Sequence, residues 1–126
     1  MEEIRITVPA ERQFAAVAGL VLGGVAARHE LTLDVLDDLQ LAFESLLERE
    51  SDDSDVTIVL RVEAATIDAD VGPFAREAVS EIEDDSGDGI GLRRLLETVV
   101  DVVSLSERDD GCWVELRKGY ALAESN

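Results

Sequence analysis

Three stretches place residue types at spacings that suit chemistry. In "GDGIGLRRLL", Gly87, Gly89 and Gly91 stand directly before Leu92 and a leucine-rich run. A helix N-terminus leaves its first backbone N–H groups without internal partners and carries partial positive charge, so glycines at its entry let phosphate oxygens come close. Glycines also serve any tight turn, and the spacing alone leaves both readings open. "DADVGPF" sets Asp70 two residues before Gly72, a hydrogen-bond acceptor beside a position without a side chain, in a context that also reads as a strand end before a Gly-Pro turn. "FESLLER" offers Glu44 and Glu48 one helical turn apart, a carboxylate pair able either to bind a hard cation or to solvate a helix face. His29 is the single histidine and Cys112 the single cysteine, so neither an internal disulfide nor a cysteine-based zinc site can form within the chain.

These residues need elements to hold them. "IRITV" alternates apolar and polar residues up to Pro9 and predicts a first strand with one buried face. Glu11 to about Arg28 predicts a helix, in which Gly19, Gly23 and Gly24 each cost about 1 kcal/mol relative to alanine and suit close packing. A second helix follows Thr32 as N-cap, with Asp34, Asp37 and Asp38 near its positive end and Leu36, Leu39, Phe43, Leu46 and Leu47 on one stripe. "VTIVLRVE" and "ATIDADV" predict a hairpin, Pro73 opens a short helix through "FAREAVSEI", and "EDDSGDG" breaks regularity as a loop. Leu92, Leu95, Leu96, Val99, Val102 and Val103 continue a helical stripe. The last hairpin joins "VVSLSE" to "CWVELRK" through "RDDG", with Trp113 expected to pack on a helix. This order predicts an α+β, two-layer sandwich, with about five strands in a mixed sheet covered by three main helices. Residues 1–120 form one domain in this reading, and 121–126 a polar tail.

Charge narrows the partners. The 126 residues carry a formal charge of −18, which repels nucleic acid and anionic membranes and steers basic partners inward. The N-terminal residues lack a basic segment followed by an apolar one, and "FAAVAGLVLGGVAA" falls short of a membrane span, so a soluble cytoplasmic protein is expected. Arg93 and Arg94 read as an exposed pair balancing nearby acids.

With these motifs in order, the chain resembles the anti-sigma-factor serine kinases, a branch of the gyrase, heat-shock chaperone and histidine-kinase (GHKL) ATPase superfamily. "GIGLRRLLETVVDVVSL" looks like their second glycine box and its helix, "TIDADVGPF" their first glycine box, "LDVLDDLQLAFESLL" their N-box helix, and "ITVPAERQFAAVAGLVLGGVAA" their first strand and helix. The resemblance implies the Bergerat sandwich, ATP and magnesium as cofactors, a sigma factor or an anti-sigma-factor antagonist as partner, and is compatible with a homodimer. It gives Asp70 and Gly72 to adenine and Gly87, Gly89, Gly91 and Leu92 to the phosphates, with Phe74 where the family has a second glycine. The family's glutamate and asparagine, the base and the magnesium ligand, fall on Ser45 and Arg49. A serine is a poor base, and a guanidinium offers only donors and positive charge, so Arg49 is suited to a phosphate and not to a cation. The expectation is therefore a regulator that binds a sigma factor or antagonist with weak or lost ATP binding and kinase activity. Two alternatives stand beside it: an active kinase whose metal site uses Glu44 and Glu48 in a shifted register, and a scaffold that binds no nucleotide.

Overall fold

In the computed structural model, which describes residues 2–9, 11–29, 31–47, 55–63, 65–79 and 92–119, strand β1 (Glu2–Pro9) turns Ile4, Ile6 and Val8 to the core. The intervening Glu3, Arg5 and Thr7 are exposed, as strand alternation requires. A 3-10 turn (Arg12–Phe14) then leads into α1 (Ala15–His29), whose Ala15, Ala18, Leu22 and Val25 are buried. Helix α2 (Leu33–Leu47) starts as its cap residue predicts: Thr32 accepts from the Val35 N–H through Oγ1 at 3.3 Å, and its carbonyl accepts from the Leu36 N–H. Leu39, Phe43, Leu46 and Leu47 are fully buried on one stripe, and Leu36 packs at its margin.

The sheet continues with β2 (Asp55–Val62) and β3 (Thr66–Phe74), a hairpin closed by the Glu63 N–H donating to the Thr66 carbonyl. Helix α3 (Leu92–Val99), β4 (Val102–Arg108) and β5 (Gly111–Gly119) complete the described elements. Strand order is β1-β2-β3-β5-β4, and every neighbouring pair is antiparallel, which corrects the expected mixed sheet. The reason lies in the connections. Two helices between β1 and β2 return the chain to the end it left, so β2 runs against β1. Strands β3 and β4 do run the same way, but β5 lies between them and opposes both.

Three further expectations change. Strand β3 does not stop at the glycine: Pro73 and Phe74 remain in it beyond a register shift against β5, and of the expected short helix the described part, Arg76–Val79, is a 3-10 turn. Proline is tolerated there because the shift interrupts the ladder that would have needed its N–H. Val102 and Val103 belong to β4, with Val103 buried and Val102 turned to solvent, because α3 ends at Val99. Of the α1 glycines, only Gly19 lies in a tight contact, since a Cβ there would stand 2.8 Å from Gln40 Oε1, whereas Gly23 and Gly24 would meet nothing within 4 Å.

One core cluster joins buried side chains of α1, α2 and α3 to Ile58, Leu60, Ile67, Ala69, Val71, Val114 and Leu116 of the sheet. The described helices thus cover a single face. The residues alternating with these, Val59, Arg61, Asp68, Asp70, Gly72, Trp113, Glu115 and Arg117, lie on the opposite face, which is helix-free among the described residues.

Candidate functional site

Asp70 sits at the centre of that helix-free face, directly opposite Val59 on one neighbouring strand and Glu115 on the other. It is the one buried charged residue among the described residues, at 7% exposure. Burial of a carboxylate demands counter-charge and donors. Arg61 from β2 supplies Nη2 at 2.8 Å from Oδ2, and Arg108 from β4 reaches the same oxygen at 3.3 Å. Arg108 also binds Glu115 at 2.8 Å, so one guanidinium bridges two carboxylates that face each other across the strands and would otherwise repel. Next along the ladder, Arg117 pairs with Asp68 through Nε at 2.9 Å. The Arg61 pKa is raised mainly by its hydrogen bond to Asp70, against the opposing effect of burial. For Arg108 burial pulls downward, and hydrogen bonds to Glu115 and Asp70 outweigh it, leaving a raised value. Arg117 is raised chiefly by its hydrogen bond to Asp68.

Gly72 leaves a space that Trp113 fills. A Cβ on Gly72 would lie 2.6 Å from Trp113 Cδ2 and 3.0 Å from the Cys112 carbonyl. The indole is held in place by Nε1 donating to Asp110 Oδ1 at 2.8 Å and by the Arg108 guanidinium 4.6 Å from the ring centroid. Trp113 therefore packs on the glycine of β3, not on a helix as its strand position suggested, and the residue is only 5% exposed. Phe74, at the family's second glycine, is buried in the core cluster opposite Cys112.

The α2 residues belong to the other layer. Ser45 donates its hydroxyl to the Leu41 carbonyl one turn back, at 2.9 Å, and Glu44 accepts from Gln40 Nε2 at 3.3 Å. Glu44 also lines a cleft of about 480 Å³ with Gln13, Ala16 and Gln40, between α1 and α2. The structure thus brings Asp70 and Gly72 together, and Glu44 and Ser45 together, with the sheet between the two pairs. Leu92 is the first residue of α3. Arg49, Glu48, Gly87, Gly89 and Gly91, with the "EDDSGDG" segment and the tail, lie outside the described residues. Arg93 pairs with Glu97 at 3.0 Å, the one-turn pairing that balances the exposed charge.

Asp70 and Gly72 therefore lie across the sheet from α2. The carboxylate assigned to adenine faces away from the helices, and the space at Gly72 is occupied by an indole. Among the described residues no group of three or more His, Cys, Asp or Glu could hold a metal ion. A separate cleft of about 600 Å³ opens at the β3–β5 register shift, lined by Pro73, Phe74, Arg76, Glu107, Arg108 and Cys112, with Arg76 paired to Glu107. Among the described residues no helix is long and apolar enough to cross a membrane.

Arg61, Arg108 and Trp113 did not stand out as site residues in the sequence. The signal for them was the period-two recurrence of charge in "LRVE", "IDAD" and "VELRK", which marks a polar sheet face once the register is known. Comparison of the chain with protein-family models and with curated proteins finds no matching family and no matching relative.

Proposed function

We propose that the protein is an anti-sigma-factor-like regulator on a Bergerat-type sandwich, acting by binding a sigma factor or an anti-sigma-factor antagonist, with nucleotide binding and phosphoryl transfer weak or lost. The observation that carries the preference for binding over catalysis is the separation of Asp70 from Ser45 by the sheet. Phosphoryl transfer needs base, metal ligand and nucleotide in one pocket, because positioning and charge supply nearly all of its acceleration. A hydroxyl already donating within its own helix and a carboxylate tied to two guanidiniums on the far face do not supply that pocket. The order of elements supports the family reading, and the charge of −18 suits a regulator of basic, DNA-binding proteins.

Calorimetry with Mg-ATP, followed by titration with a purified sigma factor and with an antagonist, tests this. The expected result is little or no heat with Mg-ATP and saturable binding to one of the two proteins. Tight magnesium-dependent ATP binding with phosphate transfer to an antagonist serine would instead establish the active kinase.

A further inference from the structure

We propose that the solvent face of the α1–α2 pair docks a basic amphipathic helix of a partner protein. The proposal rests on the binding reading above only in requiring a protein partner. Helix α1 is apolar nearly all round: it buries Ala15, Ala18, Leu22 and Val25, yet exposes Ala16, Val17, Leu20, Gly23, Gly24 and Ala27 on its outer side. A helix standing at the surface of a soluble fold ordinarily carries polar residues there. Leu20 is 79% exposed, and on α2 Leu33 is 74% and Leu41 41% exposed. Leu33, Asp37 and Leu41 follow one another at one-turn intervals, so the leucines share a line on α2. Gln40 Nε2 of α2 donates to the Ala15 carbonyl of α1 at 2.9 Å, in space that Gly19 leaves open, and the cleft lined by Ala16, Gln40 and Glu44 lies between the two helices.

The glycines give this face its shape. Glycine is the poorest helix former after proline, and no neighbour within the chain requires Gly23 or Gly24, whose added Cβ would meet nothing within 4 Å. Their effect is a flat strip of backbone beside Leu20. Interaxial distance between packed helices is set by the side chains at the contact, so a flat strip admits a close partner. From Ala16 to Ala27 the strip runs about 16 Å, three turns of a docked helix.

Charge selects the occupant. Along α2 the exposed face carries Asp34 and Asp37, Glu44 borders the cleft, and no lysine or arginine occurs between Leu33 and Leu47. A second copy of the chain would set these carboxylates against their own kind, and an anionic membrane would be repelled by the charge of −18. A helix with leucines on one face and lysines or arginines beside them meets both requirements.

The test uses a fluorescein-labelled 14-residue peptide of alternating leucine and lysine blocks in helical register, with a scrambled peptide of the same composition, read by fluorescence anisotropy. Expected results are saturable binding of the patterned peptide, at least about tenfold weaker binding of the scrambled one, and a further loss of about tenfold on L20S/L33S, whose thermal unfolding matches the parent. D34N/D37N should weaken binding and flatten its salt dependence, whereas D55N/D109N, with the same charge change at the start of β2 and just beyond β4, should leave it unaltered. Equal binding of both peptides, or equal losses in the two charge variants, would overturn the proposal. So would a dimer lost in L20S/L33S, or co-sedimentation with phosphatidylcholine vesicles. A sigma factor or antagonist that binds L20S/L33S as it binds the parent would leave the regulator standing and remove this surface; peptide docking without either protein would do the reverse.

Discussion

Replacing Gly72 by alanine separates two explanations of the same glycine. If Gly72 exists to admit a nucleotide, an added methyl lowers ligand affinity and leaves the empty fold alone. The structure gives it a different task. Its Cβ would lie 2.6 Å from Trp113 Cδ2, 2.8 Å from Cγ and 3.0 Å from the Cys112 carbonyl, all well inside van der Waals contact. The obstacle is steric, because among the described glycines only Gly111 has positive φ, at 141°. Overpacking of this kind costs about 1–3 kcal/mol. The indole can move aside only by weakening its hydrogen bond to Asp110 at 2.8 Å and its stacking under Arg108. Those contacts are worth about 1.5–3 and 0.5–1 kcal/mol respectively. Since moving the ring relieves part of the clash, the net destabilisation expected is about 2–4 kcal/mol. Trp113 is the only tryptophan, so its emission reports both the ring's environment and the urea transition. Trp113→Ala removes the obstacle, and in that background Gly72→Ala should cost at least about 1 kcal/mol less. A Gly72→Ala protein within about 0.5 kcal/mol of the parent, with unaltered emission, would refute the packing argument.

Asp70→Ala leaves Arg61 and Arg108 without their shared carboxylate; as these side chains are 29% and 34% exposed, water offsets part of the loss, and urea denaturation should show about 1–3 kcal/mol rather than the larger penalty of a fully buried pair. Gly111→Ala forces a side chain onto a φ of 141° and sets its Cβ 3.0 Å from Pro73 Cβ, so a loss of about 1–3 kcal/mol is expected, with the melting temperature as readout. Gly23→Ala and Gly24→Ala should each stabilise by up to about 1 kcal/mol in thermal unfolding, because the new methyl meets nothing and helix propensity rises. The same two variants should weaken binding of the basic peptide, since they roughen the strip on which it docks.

How far the sequence could be read depended on the range of the information needed. Periodicity located β1, α2 and the final hairpin, and Thr32 announced the start of α2, because caps and alternation are written within a few residues. Strand direction was not local. Nothing near Val102 says that β5 will slip between β3 and β4, and that insertion converts a mixed sheet into an antiparallel one. The same limit governed the site. Asp70 and Gly72 look like a ligand motif while only neighbours along the chain are visible, but Asp70's charge partners come from β2 and β4 and Gly72's from β5. Which face of β3 they occupy depends on a register that a single residue's slip would reverse. Gly23 and Gly24 show the converse error: small residues suggested helix packing, and the structure places them against solvent.

The two faces of the molecule divide its charge unequally. The helix-free face carries Arg5, Arg61, Arg108 and Arg117 against Glu3, Asp55, Asp68, Asp70 and Glu115, a balance of −1 among these strand residues, so it adds little to the net −18. Nearly all of that excess lies in the helices, the strand ends and the connecting segments. At physiological ionic strength the Debye length is about 8 Å, so a partner near the ladder senses mainly its alternation of sign, whereas one near α2 senses Asp34, Asp37 and Glu44, with Asp38 already paired to Lys118 at 2.9 Å. A cationic helix is consequently drawn to the layer that also bears the exposed leucines. Steering and apolar burial act at the same place, and a strongly acidic chain can then discriminate among basic partners by shape as well as by charge.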